Sequence, residues 1–170
     1  QYSITSDREQ AVDFSSPYYE VSQAVISTAG SPIAGATTVA DLKNAKLGAA
    51  VGSTSLNDAQ EIIAPTTPVS VFNDNAAAVT ALKNGQIDGI VIDLPSAFYL
   101  TAAELDDGVI VGQLPATASG EAAEFGILLA KDSPLTACTS QAVDALAADG
   151  TLAALQDEWL GSAAGAPTLK

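Results

Sequence analysis

Two charged residues far apart in this chain have the types and settings to hold a small ligand. Arg8 closes the run Ser3-Ile4-Thr5-Ser6-Asp7-Arg8, which leads through Ala11-Val12-Asp13-Phe14-Ser15 to Pro17-Tyr18-Tyr19. A permanent cation therefore stands beside hydroxyls, just ahead of a hinge-like segment. A guanidinium presents a planar fork of donors that fits both oxygens of a carboxylate, whereas an ammonium meets them only as a point charge. Asp93 follows the run Asp88-Gly89-Ile90-Val91-Ile92 and stands two residues before Pro95. A zwitterion needs both signs of charge, with neutral donors and acceptors to complete each group's hydrogen bonds. Taken residue by residue, two other roles stay open. Arg8 could pair with Asp7 or Glu9 at the surface, and Asp93 could cap the helix that Pro95 opens, a role worth about 1 kcal/mol.

The composition removes whole classes of function. There is no histidine among the 170 residues, so histidine-based acid-base catalysis, histidine-containing triads and histidine-ligated metals are excluded. No catalytic residue, metal ligand or cofactor site is assigned. Cys138 is the single cysteine and cannot form a disulfide within the chain; its Ala- and Leu-rich surroundings predict a small buried apolar role. Six basic against twenty acidic residues give a net charge of -14, which repels phosphate backbones and anionic membrane surfaces and argues against nucleic acid. No apolar run approaches the roughly 18 residues of a membrane span, and the N-terminus lacks the basic start and apolar core of a secretory signal. Gly52-Ser53-Thr54-Ser55 lacks the spacing and lysine of a phosphate loop.

The elements that must carry these residues alternate between extended and helical patterns, which predicts α/β layers rich in parallel strands. Strands are expected at 21–28, 46–51, 69–72 and 87–92, with further extended segments at 109–111 and 124–130. Thr38 with Asp41 predicts a capped short helix. After the turn at 52–55, Leu56, Ala59, Ile62 and Ile63 recur at helical spacing until Pro65 and Pro68 intervene. Asn73-Asp74-Asn75 caps a helix over 76–84 that Gly85 closes. Asp93 then lies at the carboxyl end of a strand beside a helix start, where open α/β sheets bind ligands. Residues 115–120 read as a loop. Two helices, 134–148 and 151–160, break at Asp149-Gly150, with Trp159 expected to anchor the second by burying its ring. Phe14 reads as core, Tyr18 and Tyr19 as hinge packing, and 161–170 as a frayed tail.

The motif around Arg8 resembles the end of the first lobe in the amino-acid-binding proteins that serve ABC importers, the bacterial extracellular solute-binding proteins of family 3. Gly52-Ser53-Thr54-Ser55, Asp88-Gly89-Ile90-Val91-Ile92-Asp93, Phe125-Gly126-Ile127 and Asp149-Gly150-Thr151-Leu152 extend the likeness in the family's order. The resemblance implies the type 2 periplasmic-binding-protein fold, a two-lobed clamp with lobe 2 complete and lobe 1 partial. Residues 1–19 would end lobe 1, 20–120 would form lobe 2 with the hinge crossings, and 121–170 would return to lobe 1. The N-terminal part of lobe 1 would be absent, making the chain a fragment completed by a separate N-terminal piece or another copy.

By the same resemblance, Arg8 holds the α-carboxylate of a free amino acid with help from Ser3, and Thr54 and Ser53 complete that site from lobe 2. Asp93 holds the α-ammonium, and the backbone carbonyl of Gln1 faces the same group. Ala50, Val51 and Ile92 remove polar groups from the neighbourhood of the ligand side chain, which points to a neutral amino acid. Closure of the lobes around the ligand would let a membrane permease distinguish loaded from empty protein. The protein would act outside the cytoplasmic membrane, in a periplasm or tethered by a lipid on the absent part. Two alternatives use the same fold: a periplasmic dehydratase-like enzyme, for which Glu121 and Glu124 are the acids near the return hinge, and the ligand-sensing domain of a receptor.

Overall fold

The computed structural model describes residues 1–116, 123–160 and 165–170. In chain order the elements are α1 (Ser6–Glu9), β1 (Val12–Phe14), β2 (Tyr19–Val21), β3 (Gln23–Thr28), β4 (Leu47–Ala50), α2 (Thr54–Asp58), β5 (Ser70–Phe72), α3 (Asn75–Lys83), β6 (Gly89–Asp93), α4 (Leu94–Tyr99), β7 (Gly108–Gln113), β8 (Ala123–Phe125), β9 (Leu128–Ala130), α5 (Thr136–Ala148) and α6 (Thr151–Leu160). A short 3-10 turn spans Val39–Leu42, and single π-turns follow α2 at Ala59–Ile63 and α4 at Leu100–Glu104. The chain divides into two compact units, Gln1–Val21 with Ala122–Ala164 and Ser22–Glu121 with Gly165–Lys170.

The second unit is built on a five-stranded sheet ordered β5-β4-β6-β3-β7. β4 runs parallel to β5 and β6, while β3 runs antiparallel to both β6 and β7. Four strands therefore share one direction and β3 alone opposes them. The parallel-rich expectation holds for the strands joined through helices, since α2, α3 and α4 supply the crossovers that parallel neighbours require. It fails for β3, which reaches β4 through the long irregular stretch 29–46 and needs no such crossover. Val25, Leu42, Leu47, Ile63 and Val91 form the centre of the core, each at most 1% exposed. Caps act where the sequence places them. Thr38 and Asp41 form a reciprocal capping box, and Asp74 accepts from Ala77 N at 2.8 Å to start α3.

The end of the chain departs from the expected frayed tail. Residues 161–164 lie outside the described ones, but 165–170 are tied into the second unit, not with the return segment where the sequence reading grouped them. Gln113 N donates to Pro167 O at 2.7 Å, Leu169 N to Gln113 O at 2.9 Å, and Val39 N to Lys170 O at 3.0 Å. Leu169 is 2% exposed and belongs to the core. Gly112 leaves room for it, because a Cβ there would stand 2.8 Å from Leu169 Cγ and 3.0 Å from Pro167 O. One large apolar residue in a tail of mostly small residues gives a weak sequence signal, which is why the packing escapes a periodicity reading.

In the first unit, β1 pairs antiparallel with β9 and β2 with β8. Phe125 is 1% exposed, and the rings of Tyr18 and Tyr19 pack on it at 6.3 and 5.7 Å. Phe14 is half-buried against Tyr2 at 6.1 Å. Asp13 pairs with Lys131 at 3.2 Å and accepts from Thr136 Oγ1 at 3.1 Å, which together hold its carboxyl below the usual range. Trp159 corrects the sequence reading, for the residue is 73% exposed. α6 leans on α5, one neighbouring helix covers one stripe of its surface, and Trp159 lies outside that stripe. Cys138 is exposed too, because Val143 is the one fully buried position of α5; its thiol donates to Leu135 O at 3.2 Å.

Because the tail fills core space, Leu169→Ala is expected to lower stability by about 2–5 kcal/mol, read as a lower urea midpoint with an unchanged slope. A loss below about 0.5 kcal/mol would mean that the tail does not pack in solution.

Candidate functional site

Because β3 opposes the other strands, its first residue stands at the edge where they end. Gln23 is the direct cross-strand partner of Asp93, the last residue of β6, and direct partners project their side chains on the same face. The turn after β4 starts α2 at this edge. Ser53 caps that helix, accepting from Leu56 N at 3.1 Å and donating to Ala50 O at 2.7 Å. Thr54, Ser53 and Asp93 are thus brought to one edge of one sheet, each half-buried.

The residue that organises them is Gln23, which the sequence reading passed over. It is 4% exposed. Its Nε2 donates to Asp93 Oδ1 at 2.6 Å and approaches Thr54 Oγ1 at 3.4 Å, while its Oε1 accepts from Ser55 Oγ at 2.7 Å. The partners fix the orientation of the amide, since a carboxylate only accepts and the Ser55 hydroxyl is left to donate. One signal was available in the sequence: an amide opening the apolar run Ala24-Val25-Ile26 must find partners if buried or destabilise the strand. Asp93 heads α4 but its side chain makes no cap bond, so helix capping does not explain it.

Asp58, at the end of α2, is pushed up to about 6 by burial first, then by the charges of Glu61 and Asp93. Ile92, expected beside the ligand side chain, is 3% exposed and belongs to the core, whereas Val51 is 60% exposed. Among the described residues no group of three or more His, Cys, Asp and Glu side chains could hold a metal ion.

In the first unit, Ser3 is 3% exposed and bridges to Phe125. Arg8 lies in α1, whose first turn is capped by Thr5 accepting from Arg8 N at 3.3 Å. The guanidinium turns back, donating from Nη1 to Ser3 O at 2.8 Å and lying 4.3 Å over the ring of Tyr2. Ser3 and Arg8 are thus brought together, and Gln1 is exposed two residues ahead of Ser3. Tyr2 was not singled out in the sequence, although an aromatic face near Arg is a common cation partner. Of the two acids considered for an enzyme, Glu124 lies in β8 and Glu121 lies outside the described residues.

Comparison with known proteins gives this geometry a family setting. A family model described as bacterial extracellular solute-binding proteins, family 3, matches residues 1–162. An L-arginine-binding protein of Pseudomonas aeruginosa is 32% identical over 162 residues, covering 92% of this chain and 61% of its own length. An ABC transporter glutamine-binding protein of Bacillus subtilis is 39% identical over 90 residues, 53% of this chain and 32% of its own length. The chain thus spans less than two thirds of either relative. A solved structure of an ancestral arginine-binding protein bound to glutamine superposes with a TM-score of 0.73 at 32% identity, over 94% of this chain and 68% of that one.

The Asp58 carboxyl gives a pH signature. Its folded value of about 6 exceeds the unfolded value, so the native state holds the proton more tightly. The stability this contributes is full below about pH 4 and is lost as pH rises through about 6. Asp58→Asn should flatten that fall and raise neutral-pH stability by on the order of 1 kcal/mol, discounted because the group is partly exposed. Denaturant midpoints across this range check it; an unchanged slope would show that Asp58 is not held protonated.

Proposed function

The chain belongs to the bacterial extracellular solute-binding proteins, family 3, and we propose that it is part of a protein that captures a free amino acid outside the cytoplasmic membrane and delivers it to the permease of an ABC importer. Arg8, with Ser3, takes the α-carboxylate. Asp93 takes the α-ammonium, with the Gln1 carbonyl serving the same group and Thr54 completing the carboxylate site. Ser53 serves by holding the turn that presents Thr54. Binding, not chemistry, is the role of these residues.

The observation that carries this reading is the way both charges are held. Arg8 is anchored on the Ser3 carbonyl and the Tyr2 ring, and Asp93 on the Gln23 amide. Hydrogen bonds to neutral groups fix where each charge points, so a ligand finds it already oriented. Long side chains left to wander would lose more conformational entropy on binding. Ala50 and Val51 at the turn favour an uncharged ligand side chain.

The test is a thermal-shift screen of the full-length protein against the common L-amino acids. A ligand well above its dissociation constant raises stability in proportion to the logarithm of its concentration. A clear rise with at least one amino acid is expected, and silence across the panel would overturn the reading. A response confined to L-arginine and L-lysine would revise the side-chain class. Arg8→Lys keeps the charge but loses the fork, so affinity should fall by on the order of a few kcal/mol. Calorimetry showing unchanged affinity would remove Arg8 as the anchor.

A further inference from the structure

We infer that Gln23 is the positioning residue of the amino-acid site: it fixes the Asp93 carboxylate and the start of α2 in one frame, so that ligand affinity depends on it. The inference rests on the reading that Asp93 takes the ammonium. The geometry that leads to it is the amide's place between three elements. Gln23 opens β3, Asp93 closes β6, and Thr54 and Ser55 open α2. One side chain bonds to all of them, at 2.6 Å to Asp93, 2.7 Å to Ser55 and 3.4 Å to Thr54.

Burial decides why this matters. At 4% exposure for both Gln23 and Ser55, water cannot replace a lost partner, so truncating the amide leaves polar groups unsatisfied. Asp93, half-buried at the rim, would then lose the 2.6 Å bond by which the amide orients its carboxylate. A carboxylate held less firmly must be ordered further by each ligand that binds, which weakens binding without removing any ligand contact. Thr54 would lose its tie to the same frame.

The variants are Gln23→Met, which keeps length and loses both donor and acceptor, and Gln23→Glu, which keeps shape and changes the proton. In Gln23→Glu an ionised carboxylate faces Asp93 and repels it. Once protonated, its O–H donates to Asp93 while the other oxygen accepts from Ser55 Oγ. Charged groups on the elements this amide joins include Asp93 on β6 and Asp58 on α2, and Asp93 and Glu61 both act on Asp58. Because Asp58 titrates over the same range, the wild type measured at both pH values is the baseline.

The experiment is calorimetry on full-length wild type, Gln23→Met, Gln23→Glu, Asp93→Asn and the double variant Gln23→Met/Asp93→Asn. The probe is each common L-amino acid that raises the wild-type melting temperature. Gln23→Met is expected to weaken binding about tenfold or more, and the double variant to bind no more weakly than Asp93→Asn alone, the mark of two residues acting as one unit. Gln23→Glu should bind poorly near neutrality and recover relative to wild type at about pH 5. Losses that simply add, or a Gln23→Glu deficit indifferent to pH, would overturn the inference while the amino-acid reading stands. If Gln23→Met does not fold, the Gln23→Glu comparison decides alone. A wild type silent to every amino acid overturns the reading and the inference with it.

Discussion

The backward run of β3 is the constraint on which the second unit's chemistry depends. In a sheet of parallel strands the carboxyl ends gather at one edge, together with the helix starts that follow them. Such an edge collects turn residues but offers few deep side chains. By opposing its neighbours, β3 begins at that edge, and its first residue is covered on both faces. The result is a buried amide directly across from Asp93 in the strand register. Parallel pairing would have placed the start of β3 at the far edge and left Asp93 without the Gln23 amide.

Asp88 shows that position, not residue type, sets the role of an acid here. It stands just before β6, at the opposite end of the strand from Asp93. Its Oδ2 accepts from Lys46 N at 2.7 Å, and its backbone carbonyl accepts from Ser31 Oγ at 2.8 Å. That carboxylate bonds a main-chain group and ties one strand's start to the next. Asp93 is instead oriented by a side-chain amide at the edge where helices begin. Two acids five residues apart thus do different work because the strand delivers them to different edges.

The sequence was most legible where local chemistry decides structure. The Thr38 and Asp41 box, the Asp74 cap and the positive φ of Gly85 each follow from a residue's own bonding or backbone freedom. Arg8 and Asp93 were legible as charges in unusual settings. Direction and coverage were not legible, because both depend on distant partners. The reversal of β3, the burial of Leu169 and the exposure of Trp159 and Cys138 are decided by which surfaces meet, and apolar periodicity reports only that a surface is available. Gln23 falls between the two cases. Its anomaly was visible, an amide in an apolar strand, but its partners lie 31 to 70 positions away.

The two charged groups are stabilised by different means, and the difference follows from where they sit. Arg8 comes from a single helical turn that buries no residue of its own, and two of its contacts are local: a carbonyl five residues back and the ring of Tyr2. Such contacts form within one short segment and carry little loop-closure cost. Asp93 is fixed by a residue 70 positions away, and that bond exists only once the sheet has assembled. The local bonds of Arg8 can therefore form within its own segment, whereas the bond between Asp93 and Gln23 needs the assembled sheet of its unit.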